Sequence, residues 1–452
     1  MNKSRLICAT VLLGLAWAST ASAQDQAWLK DRRFSEGMGV RAGDLELHPG
    51  VAGEVGYDSN YFLRSDKYQA PNGPVSAIRI RLTPSLSLST ISQQRREAEG
   101  GMGEPPKVTF RAGAAATYNE LIATSSQYSD QVSKQRNVGG LANLQLTILP
   151  QKPWGGDLFG EFLRTVQPST NPDNNFNRIN AKFGGGLLWT PGGGMFDWRL
   201  GYQYQLIYFE DKLFRNLSTG ENQINTRGRW RFLPRTAILY DAQIGFLNYN
   251  TRDPGRLNST PVRARLGMNG LITQSFAVLA MAGWGSSFYS GAPNAQQFDS
   301  IIGQAALTWY ITPNPSTDPA AASMALSNVT VGYTRDFVNS YISDYYTRDR
   351  FYATVSYFAG GQFLLQADGG LAMHGYSTPF DVARQRLGPN GFKETRADAS
   401  LFAEYRLSDS FAVNGTLRYT ANLNDTVVNI GGQPNYLDWK RIEAYLGVRW
   451  FL

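Results

Sequence analysis

The chain has 452 residues, a formal net charge of +7 and a composition of 42% hydrophobic and 13% aromatic residues with 46 glycines. It contains one cysteine, which excludes a disulfide framework. After the first 23 residues no run of 18 apolar residues occurs, and long segments with helical period and caps are absent. The sequence therefore excludes a bundle of transmembrane helices and a disulfide-rich secreted domain.

The N-terminus has the pattern of a secretory signal peptide. Lys3 and Arg5 precede the short apolar run "LICATVLLGLAWA", and the small residues "ASA" end at Ala23. This pattern predicts cleavage after residue 23, so that the mature chain begins at Gln24 and loses Cys8. Removing the two basic residues lowers the formal charge from +7 to about +5, a modest excess that weakly favours anionic partners.

Alternation of apolar and polar residues follows residues 24–43 and recurs along almost the whole chain. In "AIRIRLTPSLSLS", for example, Ile78 and Ile80 alternate with Arg79 and Arg81. Successive side chains of a strand point to opposite faces, so each such segment has one apolar and one polar face. About 18 segments show it, with 16 as the second choice. The predicted strands are 44–57, 77–89, 108–120, 136–148, 156–168, 177–189, 195–209, 221–233, 236–250, 260–273, 275–289, 297–311, 327–341, 348–359, 361–376, 393–407, 411–424 and 437–452.

The connections between these segments alternate in kind. Even-numbered segments are followed by tight turns such as "LPRT", "TQS" and "SDS", apart from two longer stretches. Odd-numbered segments are followed by longer polar loops such as "STPFDVARQRLGPNG". Short turns on one rim and longer loops on the other are typical of outer-membrane barrels. A propeller would need a repeat of blade length, and a sandwich of this length would need linkers between domains. The fold predicted is all-β, a transmembrane antiparallel up-and-down β-barrel spanning residues 44–452, in the outer membrane of a Gram-negative bacterium.

Aromatic side chains near the ends of the apolar faces fit the two interfaces of a membrane. They are Trp189, Trp198, Tyr208, Trp284, Trp309, Tyr357, Tyr405, Trp439 and Trp450. The last segment, "EAYLGVRWFL", ends the sequence within a strand pattern. An unpaired edge there would be a liability, so we expect the last strand to pair with the first. Tyr445, Gly447, Trp450 and Leu452 are the predicted closure and assembly signal, which the outer-membrane assembly machinery reads from the C-terminal strand.

Extending the alternation assigns a basic excess to the lumen. The predicted lumen-lining residues of a translocation path are Arg79, Arg81, Arg111, Arg178, Lys182, Arg199, Arg227, Arg229, Arg231, Arg263, Arg265, Arg350, Arg396, Arg418, Arg441 and Arg449. The inward acids are fewer: Glu46, Glu54, Glu161, Asp241, Asp336, Asp368, Asp398, Glu404 and Glu443. These charges either pair across strands to stabilise the wall or line a path for anionic or sugar-rich solutes.

No loop stands out as a constriction of the predicted channel. The third connection on the long-loop rim, "PSTNPDNNFN", is too short to fold inward as the long loop of a diffusion porin does. The channel is therefore expected to be wide or to be blocked from the periplasm. Residues 24–43 form a periplasmic N-terminal segment that is a small plug, a docking segment or a disordered leader.

The sequence offers no support for catalysis, cofactors or metals. The two histidines, His48 and His374, are not part of a triad pattern, and no histidine or cysteine cluster is present. The glycine-rich turns lack the lysine and following helix of a nucleotide-binding loop. We therefore expect a non-enzyme with no cofactor, no metal and no nucleic-acid partner.

One segment resembles a known family. "GDLELHPGVAGEVGYDSNYF" (residues 43–62) is similar to the first strand of outer-membrane β-barrel porins associated with bacterial exopolysaccharide export, the myxobacterial-type polysaccharide secretion barrels. Pro49, Gly50, Gly56, Tyr57, Asp58, Ser59, Asn60 and Phe62 carry the resemblance. It implies an outer-membrane conduit for a secreted polysaccharide, which cooperates with a periplasmic polysaccharide export protein. The alternatives are a porin for small anionic or sugar solutes and a structural barrel without a through-path.

Overall fold

A computed structural model describes residues 28, 39–68, 72–91, 106–192, 194–251, 256–290, 295–311, 327–379, 391–424, 427–430 and 433–452. These residues form strands with very little helix. One short α-helix covers Ser129–Ser133, and single 3-10 turns cover Ser126–Tyr128 and Arg215–Leu217. Among the described residues, no helix is long and apolar enough to cross a membrane.

Eighteen antiparallel strands close into a barrel, and three short strands accompany them. Each barrel strand pairs with its neighbours in sequence, and the last strand, β21, pairs with both β18 and β2. The strands are β1 (Val40–Ala42), β2 (Leu45–Asp58), β3 (Ala77–Thr90), β4 (Val108–Ala123), β5 (Asn137–Ile148), β6 (Trp154–Thr165), β7 (Arg178–Trp189), β8 (Phe196–Phe209), β9 (Thr219–Leu233), β10 (Thr236–Tyr249), β11 (Ser259–Leu271), β12 (Phe276–Tyr289), β13 (Asp299–Tyr310), β14 (Asn328–Asn339), β15 (Tyr345–Ala359), β16 (Phe363–Tyr376), β17 (Lys393–Ser408), β18 (Phe411–Asn422), β19 (Val427–Ile430), β20 (Gln433–Tyr436) and β21 (Trp439–Phe451).

The prediction of a closed 18-stranded barrel is confirmed, and each predicted segment overlaps one barrel strand. The sequence pattern explains this result, because strict alternation fixes which face of each strand is apolar. In β2, for example, Ala52, Glu54 and Asp58 are buried inside, whereas Val51 and Val55 are exposed on the outer surface. Closure of the barrel leaves no unpaired strand edge in the hydrocarbon layer, where unpaired backbone groups would be unfavourable.

The outer surface carries the aromatic belt that the sequence predicts, with one correction. Trp284, Trp309 and Trp450, for example, are each between 41% and 45% exposed on the apolar face. Trp439, however, is only 5% exposed and lies on the inner face of β21 with Arg441. Its parity along the strand is that of Arg441, so the two residues cannot lie on opposite faces.

The two rims differ as the turn pattern predicts. One rim carries the tight connections, such as 234–235, 360–362 and 409–410, and the longer stretches 91–107 and 311–327. The other rim carries loops that are mostly longer, although the connection 340–344 has only five residues, and the β19–β20 hairpin belongs to the last loop. In outer-membrane barrels the longer loops are extracellular and the short turns are periplasmic. We use these names for the two rims below.

The N-terminal region and the C-terminus meet beside the first barrel strand. The first half of β2 pairs with β1, and the second half, from Gly50, pairs with β21. The Leu452 amide donates to the Pro49 carbonyl at 3.1 Å, and His48 Nδ1 lies 3.0 Å from the Leu452 carbonyl oxygen. β1 therefore continues the line of β21 along β2 and covers the edge that the C-terminus leaves open.

Candidate functional site in the barrel lumen

A cavity of about 960 Å³ lies inside the barrel, along the inner wall formed by β4 to β11. It occupies the middle of the strands and their periplasmic half. Its polar lining consists of Arg111, Asn143, Gln145, Asp157, Glu161, Lys182, Arg199, Gln203, Gln223, Asn225, Arg227, Asp241, Gln243 and Arg265. A barrel of this strand number leaves an aqueous channel wherever side chains do not fill it. We call this surface the polar wall.

Three glutamines form a ladder across the centre of the polar wall. The Gln203 side-chain amide donates to the Gln223 side-chain carbonyl, and Gln223 donates in the same way to Gln243. The three residues come from β8, β9 and β10, at heights where alternation turns their side chains inward. Each amide keeps further donor or acceptor capacity for a solute. Sequence reasoning expected glutamines in the lumen but named only charged residues individually, so it did not single out this ladder, although the same alternation would have found it.

Two arginines of the polar wall are neutralised by neighbouring aspartates. Arg199 Nε lies 3.1 Å from an Asp157 carboxylate oxygen, and its Nη1 donates to Asn225 at 2.7 Å. Arg265 Nε lies 3.0 Å from an Asp241 carboxylate oxygen. These pairs orient the guanidinium groups along the wall and reduce their net field on a passing solute.

Three other basic residues of the polar wall keep an uncompensated charge. Among the described residues, none forms an ion pair with Arg111, Lys182 or Arg227. Arg227 is exposed to the cavity, and the Lys182 ammonium group lies 5.6 Å from the ring centre of Phe159. Glu161 stands opposite Lys182 in the strand register. The polar wall therefore combines neutral amides, paired charges and a local positive excess.

A second group of predicted lumen residues forms a dry ionic cluster where the barrel closes. Arg79 Nη1 lies 2.9 Å from a Glu443 carboxylate oxygen and 3.3 Å from an Asp58 carboxylate oxygen. Arg441 Nε donates to Asp58 at 2.9 Å, and its Nη2 lies 3.2 Å from Glu443. All four side chains are at most 4% exposed. Since burial makes each charge depend on its partners, this closure cluster is structural and is not part of a solute path.

The residues that resemble polysaccharide-export porins belong to the same closure. Ser59 Oγ accepts from the Ile442 amide at 2.8 Å, and Asn60 Nδ2 donates to the Lys440 carbonyl at 3.0 Å. A Cβ on Gly56 would lie 2.1 Å from the Tyr445 ring, so only glycine fits there. With Asp58 in the closure cluster, these motif residues join the first strand to the last.

The remaining predicted residues lie on inner faces but outside the polar wall. Arg229, Arg263 and Arg350 pair with aspartates, and Arg81, Arg396 and Arg449 pair with glutamates. Arg418 lies 3.9 Å from Glu443 at the closure cluster. Arg178 donates to Gln167 at 3.1 Å near the extracellular rim, and Arg231 lies near the periplasmic rim. The structure therefore places five of the predicted basic residues in the cavity: Arg111, Lys182, Arg199, Arg227 and Arg265.

The predicted C-terminal signal residues divide between the two faces of β21. Tyr445 is buried inside, and its hydroxyl donates to Glu443 at 3.1 Å. A Cβ on Gly447 would lie 2.6 Å from the Glu54 side chain, which explains the glycine. Trp450 lies on the lipid face, and Leu452 follows the end of the strand. Recognition of these residues by the assembly machinery stays a prediction.

Apolar side chains from loops and strand ends cluster at the extracellular mouth, and we call this cluster the cap. It contains Leu63, Phe176, Phe209, Phe214, Leu217, Ile342, Tyr346, Tyr376 and Trp439, each at most 7% exposed. The Phe176 and Phe214 ring centres lie 4.2 Å apart, and Phe209 meets Tyr341 edge-to-face at 5.6 Å. Burial raises the pKa of Tyr341 to about 12, so its phenol is neutral at physiological pH.

Hydrogen bonds between loops hold the cap together. Arg64 of the first loop donates to the Thr170 carbonyl at 3.0 Å, and Gln135 donates to the Pro172 carbonyl at 2.8 Å. On the other side of the mouth the Gln296 amide donates to the Asp344 carboxylate at 2.8 Å. The sequence analysis expected a wide channel or one blocked from the periplasm, and it did not anticipate this apolar cluster at the extracellular mouth. Four loops of this rim contribute one or two apolar residues each, and side chains from four strand ends complete the cluster.

His374 lies on the inner face of β16 beneath the cap. It is 1% exposed, and its ring centre is 5.2 Å from that of Tyr346. Neither ring nitrogen has a hydrogen-bond partner within the part of the chain that the structure describes. Among the described residues, no group of three His, Cys, Asp or Glu side chains is arranged to hold a metal ion.

Comparison with known proteins finds similarity only at the level of structure. No family model matches the chain, and no curated protein matches its sequence. The outer membrane protein opdK from Pseudomonas aeruginosa is 11% identical with a TM-score of 0.46, and the match covers 90% of this chain and 99% of that chain. OccAB4 from Acinetobacter baumannii is 12% identical with a TM-score of 0.42, and the match covers 90% and 98%. A bacterial polysaccharide outer membrane secretin is 9% identical with a TM-score of 0.32, and the match covers 91% and 99%.

These similarities assign neither a substrate nor a partner, and the resemblance to polysaccharide-export porins stays a prediction. The architecture itself decides the compartment. A closed antiparallel barrel with an apolar aromatic-belted exterior, a polar interior and unequal rims satisfies all backbone groups within lipid. The protein is an outer-membrane β-barrel.

Proposed function

We propose that this barrel is an outer-membrane pore that conducts a secreted polysaccharide. The observation that carries the proposal is the polar wall, with the Gln203–Gln223–Gln243 ladder at its centre. Side-chain amides and arginines hydrogen-bond hydroxyl groups in either direction, and each such contact is worth only about 1 kcal/mol net. A sugar chain can therefore exchange partners along the wall without being trapped at one place.

The position of the cavity supports the direction of transport. The polar wall lies in the middle and periplasmic half of the barrel, whereas the cap closes the extracellular mouth. A polymer that arrives from the periplasm therefore meets the polar wall first and must open the cap to leave. A periplasmic polysaccharide export protein that docks at the short-turn rim would deliver the polymer to this side. The proposal includes removal of residues 1–23 as a signal peptide.

A second candidate function is a porin for small anionic or sugar solutes. The uncompensated charges of Arg111, Lys182 and Arg227 in the polar wall favour it, since charged rings set the ion preference of a pore. An uptake porin should conduct when purified alone and should prefer anions. An export conduit should stay mostly closed until its cap opens.

The test is deletion of the gene, followed by separate measurement of surface and periplasmic polysaccharide. The proposal predicts loss of polymer at the surface and its accumulation in the periplasm, with other barrels assembled normally. Complementation with the wild-type gene should restore the surface polymer. Unchanged surface polysaccharide would rule out export as the main role and leave the porin function.

A further inference from the structure

An apolar patch interrupts the polar interior on β2, β16 and β17 and extends to β4, at one end of the polar wall. Ala52 of β2, Ala115 of β4, Leu364 of β16 and Phe402 of β17 all lie on inner faces and are at most 8% exposed. Leu141 and Phe358, also on inner faces, pack against them. Apolar residues on a water-filled wall would be unfavourable. Their burial shows that something covers them.

The occupant is Trp28 of the chain's own N-terminal region. Its side chain is 6% exposed and belongs to the same contact cluster as Ala52, Leu364 and Phe402. The Arg449 guanidinium lies 5.3 Å from the indole centre, within the range of a cation–π contact, and is itself paired with Glu404. Residue 28 lies 12 positions before β1, a distance in sequence that spans up to about 40 Å when extended. This reach is ample for a chain that enters the barrel from the periplasmic rim.

The contacts indicate that the site binds an aromatic ring through its apolar surface and not through a hydrogen bond to the indole N–H. The Trp28 indole N–H is buried and has no hydrogen-bond partner among the residues that the structure describes. The ring gains from apolar burial and from Arg449, whereas the unpaired N–H opposes burial.

We infer that the barrel wall carries a built site for an aromatic side chain, and that Trp28 occupies it. In doing so it fills the side of the lumen bounded by β2, β4, β16 and β17, and confines solutes to the polar wall. Trp28 is thus a contact between the N-terminal region and the inner wall of the barrel. This inference does not depend on which solute the barrel conducts.

Accessibility to a thiol reagent tests the inference, since Cys8 is the one native cysteine. In a Cys8→Ser background, Leu364→Cys is reacted with a maleimide in the purified folded barrel, with and without Trp28→Ala. We expect labelling to accelerate at least tenfold when Trp28→Ala is present, and to remain slow with Trp28→Phe. Gln223→Cys in the polar wall is the matched control and should react at one rate in all three backgrounds. Equal labelling of Leu364→Cys with and without Trp28 would overturn the inference.

Disulfide formation provides a second measurement that needs no removal of Trp28. Trp28→Cys combined with Phe402→Cys should cross-link under mild oxidation, whereas Trp28→Cys combined with Gln223→Cys should not. The product is read as a reducible change in mobility of the folded barrel on a gel. Equal cross-linking of the two pairs, or none in either, would contradict a fixed position of Trp28 against Phe402.

Discussion

Truncation of one cap residue should open the extracellular mouth without disturbing the barrel wall. Phe214 is the residue of choice, because it lies in a loop, is 1% exposed and packs against Phe176 at a ring distance of 4.2 Å. Its replacement by alanine removes contacts that only the closed cap makes. The β-ladder hydrogen bonds remain, so the barrel itself should keep its stability.

The expected size of the effect follows from burial. Replacing a fully buried phenylalanine by alanine costs about 3–5 kcal/mol. If cap opening exposes Phe214 to water, Phe214→Ala weakens the closed state by up to this amount. A difference of 1.4 kcal/mol is about tenfold in an equilibrium, so the closed-to-open ratio should fall on the order of a hundredfold or more.

The assay is single-channel conductance of the purified barrel in a planar lipid bilayer. Wild type should show rare openings, and Phe214→Ala should show frequent ones. Phe183→Ala is the matched control, because Phe183 is 54% exposed on the lipid face and should leave the openings rare. Unchanged openings in a Phe214→Ala barrel that is folded by gel mobility would refute the assignment of the cap as a gate.

Two further predictions concern the closure cluster and the polar wall. Asp58→Asn leaves two buried arginines short of a countercharge and should lower the free energy of unfolding by about 3–5 kcal/mol. Urea unfolding in detergent measures this change, with Asp66→Asn, at an exposed loop residue, as the control. Equal unfolding midpoints for the two variants would contradict the prediction. Arg227→Gln removes an uncompensated charge worth on the order of 1 kcal/mol to a nearby anion. It should therefore lower the anion-to-cation permeability ratio severalfold in reversal-potential measurements, whereas Arg335→Gln, whose ion pair with Asp349 is separate from the polar wall, should not.

The barrel could be predicted from the sequence because its strands are specified locally. Alternation assigns faces strand by strand, and a shift of one residue would place Val51 and Val55 inside and Glu54 in lipid. Turn residues such as "LPRT" and "SDS" then separate the strands. In the membrane only a closed sheet is favourable, because it leaves no backbone hydrogen-bonding group unpaired in lipid. The single error in the belt, Trp439, came from judging the residue by type and not by its parity with Arg441.

The functional parts of the interior depend on contacts between residues distant in sequence. The cap joins Leu63, Phe176 and Ile342 from three loops, and no pattern in the sequence around them indicates that they meet. Whether an inward arginine is neutralised also depends on its neighbours in the strand register, as Arg199 and Arg227 show on adjacent strands. Nothing in the stretch around Trp28 indicates that it finds a partner on the wall. Composition and hydrophobic periodicity cannot predict such long-range contacts, because they do not tell which distant residues lie close together in the folded chain.

The most direct test of the central claim is surface polysaccharide in a deletion strain that expresses a variant of the glutamine ladder. The account predicts that Gln203→Ala, Gln223→Ala and Gln243→Ala together lower surface polymer severalfold, since each lost amide contact is worth on the order of 1 kcal/mol. Asn222→Ala is the control, because Asn222 neighbours Gln223 on the opposite face of β9 and contacts Tyr202 there. Full surface polysaccharide with the triple variant, at normal barrel levels, would contradict a path along the polar wall.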